Sequence, residues 1–303
     1  MEKLLSFLNN IPEYRILKDA LLQGESSAVT GIGQINRSHF ISGLCQDLEK
    51  PMVILCQDDM AAKRIAEEVK AFTGIQANIL PSRELTLYDS AVVSRAWEQK
   101  RLRQLYDLKN GNTKLQIMSW EALSQRTMPP HVLQKAVFTL QIGNTYPLDT
   151  ILAQLSGAGY TRCAMVEGPG QFAVRGGILD IYSPAADQPI RAEFFGDELD
   201  TMGYFDTDTQ RRTENVDHVV ILPVGETQPK LHEEGIEGLC ADLRQMISRQ
   251  QRRKTPNETL IKTLEKDLNK YENNLQNPAS DRYMALIYKD FATAMDYVPR
   301  MPP

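Results

Sequence analysis

The chain has 303 residues, 42% of them hydrophobic and 24% charged, with a formal net charge of −5. That length accommodates two or three compact units, and the acidic balance argues against a general nucleic-acid-binding surface, which needs a basic excess. Four cysteines (Cys45, Cys56, Cys163, Cys240) and four histidines (His39, His131, His218, His232) are scattered without a CxxC pair. No metal site and no disulfide framework is expected from that spacing, and free thiols fit a reducing cytoplasm. Residues 1–22 alternate charges with short apolar pairs, unlike a signal-peptide core, and no segment has the length to span a membrane. A cytoplasmic soluble protein is expected.

Residues 1–22 read as an amphipathic helix interrupted at Pro12. A loop, a helix and the apolar run at 52–56 follow, the last read as a buried strand. Helices are expected at 60–72 and 96–108, and strands at 77–80 and 115–119. This alternation predicts a mostly parallel sheet in a βαβ layer ending near Pro129-Pro130.

The loop before the second helix invites comparison with G-x-x-x-x-G-K-[ST], in which backbone N–H groups wrap phosphates, lysine neutralises them and the hydroxyl binds Mg²⁺. In that register Ala28 replaces the first glycine, Gly33 is retained, Gln34 replaces lysine and Ile35 replaces the hydroxyl residue. The charge and the metal ligand that phosphoryl transfer depends on are both missing. The loop is read as a degenerate strand-to-helix turn without ligand, so no cofactor is expected. Asp58-Asp59, superficially an acidic metal pair, reads as a helix start.

The most informative stretch is residues 166–212, VEGPGQFAVRGGILDIYSPAADQPIRAEFFGDELDTMGYFDTDTQRR. Strand-like runs at 171–174, 178–182 and 190–195 lie between turn signals: Gly176-Gly177 as a bulge or sharp bend, then Ser183-Pro184 and Asp187-Gln188-Pro189 as a reversal. The reading is an antiparallel meander. In the third run Ile190, Ala192 and Phe194 share a core face, while Arg191, Glu193 and Phe195 share the other. That second face is either solvated with one stray phenylalanine or a recognition patch, because arginine and aromatic rings concentrate at interface centres.

The runs GPGQFAVRGGILDIYSP and PIRAEFFGDELDTMGYFDTDTQR closely resemble the partner-recognition domain shared by UvrB and the bacterial transcription-repair coupling factors; LPSRELTLYDSAVVSRAWEQKRLRQLYDL resembles the coupling factors in particular. The resemblance covers most of residues 28–223. It implies docking on UvrA, with Arg175, Arg191 and Phe195 as contacts. It also implies the member with a degenerate loop: residues 80–97 lack a tyrosine-rich DNA-clamping hairpin, Tyr88 being the one tyrosine there. Longer family members carry motor and polymerase-binding modules after such a region, so the resemblance implies a fragment, with RNA polymerase and DNA as partners of the absent parts.

Beyond Pro223 the pattern turns helical, with apolar stripes at Ile236, Leu239, Leu243 and Ile247, then at Leu260, Leu264, Leu268 and Leu275. Pro256 is read at the first position of the second of these helices, and residues 281–297 as a further helix. The cluster Arg249, Arg252, Arg253 and Lys254 reads as a solvated connection at a helix C-terminus rather than a DNA-binding patch.

The expected fold class is therefore α/β: a degenerate RecA-like, P-loop-type layer (1–130), an inserted small α+β UvrA-interaction domain (131–223), and a helical subdomain (224–303) packing on the first. The expected function is a non-catalytic adaptor. The competing readings are a nucleotide-dependent repair enzyme and a weak DNA-binding module.

Overall fold

The computed structural model describes residues 2–83, 95–184, 186–275, 277 and 279–299. The chain divides into two compact units: 1–83, 104–125 and 297–303 in one, and 84–103 with 126–296 in the other. The expected segment with Tyr88 lies outside the described residues.

In the first unit Pro12 divides the N-terminal helical stretch. Helix α1 (Glu2–Ser6) runs into a 3-10 turn, and α2 (Pro12–Leu22) restarts with Pro12 in its first turn, where a missing N–H costs nothing. Helix α3 (Gln34–Asp47), β1 (Met52–Cys56), α4 (Asp59–Thr73) and β2 (Asn78–Leu80) follow. Helix α5 (Arg95–Lys109) passes through the boundary between the units, and β3 (Leu115–Ser119) with α6 (Trp120–Ser124) completes the first. The three strands are parallel in the order β1-β3-β2. Strand β3 is buried throughout, as a central parallel strand should be. Strand β1, expected to be buried, lies at an edge and leaves Val53 and Leu55 exposed. Ala62, Ala66 and Val69 of α4 close over Leu115 and Ile117, and Tyr14 and Leu17 of α2 pack with Leu44 of α3.

The second unit contains α7 (Pro130–Ala136), β4 (Phe138–Gln141), α8 (Leu148–Gly157), β5 (Thr161–Arg162), β6 (Gln171–Arg175), β7 (Ile178–Ile181), β8 (Ile190–Phe195), β9 (Glu198–Phe205), β10 (Arg212–Asn215) and β11 (His218–Ile221). Six strands form a sheet in the order β10-β9-β8-β7-β6-β5, antiparallel except for the β5–β6 pair; β4 and β11 pair separately. The expected meander is thus the centre of a larger sheet.

Helices α9 (Gly235–Gln251), α10 (Glu258–Glu272) and α11 (Met284–Ile287) follow. Three expectations change here. Residues 224–296 group with the six-stranded sheet rather than with the N-terminal sheet. Helix α10 starts after Asn257, whose side chain accepts from the Leu260 N–H at 3.0 Å, so Pro256 stands outside it. Residues 281–297 are broken: Tyr288 is extended, and Asp296 accepts from the Thr293 N–H to form a local turn.

Candidate functional site

The meander has one core face. Phe172, Ile181, Ile190 and Tyr204 lie in one cross-strand row, and Val174, Leu179, Ala192 and Met202 in the next. These rows pack with Ile151 and Leu155 of α8, Leu140 of β4, and Val219 and Ile221 of β11. Phe194 joins this side, as its alternation predicts.

On the other face the rows are Ala173, Asp180, Arg191 and Gly203, then Arg175, Ile178, Glu193 and Thr201. One end is closed by a small cluster in which Val166, Ala173 and Phe205 are buried. The other end is open, and there Phe195 is 85% exposed opposite Glu198. Two turns shape that tip. Arg175 pairs with Ile178 across Gly176-Gly177, with Gly176 at φ 61°, so the expected bulge or bend is a two-residue hairpin turn. A Cβ on Gly177 would meet the Phe194 carbonyl oxygen at 2.7 Å, which lets β8 approach the turn closely. Phe195 pairs with Glu198 across Gly196-Asp197, with Gly196 at φ 63°.

Asp180 organises the charged row. Its side chain is 1% exposed, and a buried carboxylate must be compensated. Arg191 does so as a fork, with Nε donating to Oδ1 at 2.7 Å and Nη2 to Oδ2 at 2.9 Å. Arg175 donates from Nη2 to the same Oδ2 at 2.5 Å. Arg191 also donates to the Gln210 carbonyl at 3.1 Å and to Gln210 Oε1 at 3.2 Å, and its guanidinium lies 4.5 Å from the Phe205 ring centroid. The hydrogen bonds to Asp180 push the Arg191 pKa further up.

The FDTDTQR stretch explains how Gln210 reaches Arg191. The Asp206 carboxylate accepts from the Thr209 N–H at 2.7 Å and hydroxyl at 2.8 Å, and Gln210 adopts φ 59° to close the turn. The Thr209 amide and then its hydroxyl hold the Asp206 carboxyl below the usual carboxylate range. Further along the open face, Arg212 bridges Glu193 at 2.8 Å and Thr201 at 3.3 Å.

The three residues expected to meet a partner therefore share one sheet face but differ in freedom. Phe195 is open, and Arg175 is 46% exposed with one hydrogen bond to Asp180. Arg191 is 17% exposed and committed to Asp180, Gln210 and Phe205. Asp180 and Gln210 were not read from the sequence. An aspartate inside the apolar run ILDIY was the available signal, because such a charge needs a cross-strand partner.

The other candidates lie elsewhere. Ala28, Gly33 and Gln34 are exposed, and Gly33 immediately precedes α3. Residues 25–33 form no strand, so the expected strand-to-helix turn lacks its strand. With its amide oxygen turned toward Arg64, Gln34 accepts from that guanidinium at 2.8 and 3.0 Å. Asp58 caps α4 by accepting from the Ala61 N–H at 2.7 Å, and Asp59 accepts from the Ser82 hydroxyl at 2.8 Å. Arg249, Arg252, Arg253 and Lys254 are exposed where α9 ends. Among the described residues no group of three or more His, Cys, Asp or Glu side chains could hold a metal, and no helix is long and apolar enough to cross a membrane.

Residues 138–226, which span β4 to β11, match the UvrB interaction domain. The chain is 25% identical to the transcription-repair-coupling factor of Bacillus subtilis over 99% of its own length and 26% of that protein. It is 30% identical to the Myxococcus xanthus protein of the same name over 69% of the chain and 18% of the relative. With the Escherichia coli protein the identity is 31%, over 58% of the chain and 15% of the relative. The chain thus spans about a quarter or less of the length of these relatives. Its residues 138–226 match the UvrB interaction domain, within a chain similar along nearly all its length to the transcription-repair-coupling factor of Bacillus subtilis.

Proposed function

We propose that this chain is a non-catalytic adaptor of transcription-coupled nucleotide excision repair, which recruits UvrA through the open end of its six-stranded sheet. The observation that carries the reading is Phe195: a large ring, 85% exposed, on the same sheet face as a half-exposed Arg175 within the matched domain. A fully exposed aromatic on an ordered strand contributes little to folding, whereas burying it in a partner's pocket supplies binding energy. The Glu193–Arg212 pair flanks the ring and supplies a polar rim.

The first unit then serves as a scaffold derived from a nucleotide-binding layer. Gln34 facing Arg64 supports a structural role for that loop, because the neutral Gln34 brings no charge to a phosphate and its amide oxygen is taken up by the Arg64 guanidinium. In this reading RNA polymerase and DNA are contacted by other parts of a longer protein. The direct test is retention of UvrA from the same organism on the immobilised chain. The wild-type chain should retain UvrA and Phe195→Ala should not. Equal retention by both would overturn the assignment of this face.

A further inference from the structure

We infer that Asp180 is a positioning residue for partner binding: it fixes the Arg175 guanidinium at the edge of the open face and is itself too buried to touch a partner. The inference rests on the docking reading above and divides its three residues into two layers.

The lower layer is closed. Arg191 uses four of its five N–H groups, two on Asp180 and two on Gln210, and its flat face is occupied by Phe205. It has almost nothing left to offer a partner. The upper layer is Arg175 and Phe195. Arg175 spends one N–H on Asp180 and is nearly half exposed, so the rest of its fork faces outward from a long side chain held at its tip. Such a side chain normally loses considerable rotamer freedom when it binds. Asp180 removes part of that loss beforehand, because the carboxylate is clamped by Arg191 and cannot follow Arg175 into solvent. The held fork suits a planar acceptor, so the partner group opposite Arg175 is a carboxylate, met as a bidentate pair.

This arrangement makes a prediction whose sign is opposite to that of simple charge attraction. Asp180→Asn removes a negative charge from a face that meets an acidic group. If attraction alone governed binding, the variant would bind UvrA more tightly. If Asp180 acts by holding Arg175, the variant binds more weakly. Arg175→Lys offers a second route, since it keeps the charge but loses the fork. It sits beside an exposed turn, and the Arg191 fork still compensates the Asp180 carboxylate in this variant, so folding should be retained.

The experiment measures the affinity of the purified chain for UvrA by calorimetry at two salt concentrations, with thermal melts to establish folding. Arg175→Ala and Phe195→Ala report on the docking reading, and Asp180→Asn and Arg175→Lys on the positioning role. The expected result is weakening by at least about tenfold for all four, with Arg175→Lys close to Arg175→Ala. Wild-type affinity in a folded Asp180→Asn variant, or in Arg175→Lys, overturns the positioning role while leaving the docking face intact. If Asp180→Asn does not fold, Arg175→Lys decides alone. Wild-type affinity for both Arg175→Ala and Phe195→Ala overturns the docking face, and the positioning role with it.

Discussion

Truncating Arg191 should cost stability before it costs binding. Arg191→Ala deletes the fork on Asp180 and both bonds to Gln210, and leaves a carboxylate that is 1% exposed with a single hydrogen bond from Arg175. Breaking a buried ion pair by removing one partner costs ~3–5 kcal/mol. Arg191 is partly exposed, so water can enter the vacated space and Arg175 still donates; the lower end, about 3 kcal/mol, applies. In a unit of this size ~1 kcal/mol moves the melting temperature by about 2–4 °C, so the transition should fall by about 6–12 °C. Scanning calorimetry of the second unit's transition, supported by urea titration, measures this. Arg212→Ala is the comparison: its pair with Glu193 is exposed on both sides and should be worth less than about 1 kcal/mol. Replacing the pair with apolar side chains, Asp180→Leu with Arg191→Met, should recover much of the loss. An Arg191→Ala variant within about 0.5 kcal/mol of wild type would refute the reasoning.

Other outcomes follow from neighbouring residues. Phe195→Ala should leave stability within about 0.5 kcal/mol of wild type, while Phe194→Ala, which opens a hole in the core face, should cost about 3 kcal/mol in a urea titration. The Asp206 carboxyl has its pKa depressed by Thr209, so the stabilisation it gives the β9–β10 turn is full above about pH 4, its ordinary value, and disappears as pH falls through the folded value. A carbon-detected titration in which Asp206 ionises at or above the ordinary aspartate value would contradict this. The chain should give no saturable ATP isotherm, even with Gln34→Lys and Ile35→Thr, because residues 25–33 lack the strand that holds such a loop; micromolar binding would contradict it.

Local pattern carried much of the fold. Strand β3, helix α4 and strand β8 announce themselves through periodicity, and the alternation in β8 assigns Ile190, Ala192 and Phe194 to one side and Arg191, Glu193 and Phe195 to the other. What it could not carry was register. Asp180 faces Arg191 only because β7 and β8 align those positions, and a slip of one residue would have turned Asp180 into the core. The same limit appears in α10, whose stripe reads as Leu260, Leu264, Leu268 and Leu275. The buried side is Ile261, Leu264, Asp267 and Tyr271, with Asp267 accepting from Tyr283 at 2.7 Å and Arg282 at 3.2 Å. An apolar template passes over a charge that tertiary partners neutralise. Likewise the break after α11 depends on Tyr288, whose hydroxyl donates to the Glu226 carbonyl, a contact 62 positions away.

The central claim is that the exposed ring and fork at the sheet's open end bind UvrA. The most direct measurement is the equilibrium affinity of the purified chain for UvrA from the same organism, wild type against the double variant Arg175→Ala with Phe195→Ala, both shown to be folded by melting. Interface anchors are worth ~2 kcal/mol or more each, so loss of the pair, ~4 kcal/mol if the two add, should weaken binding by roughly several hundredfold. A folded double variant that binds UvrA with wild-type affinity would contradict the account.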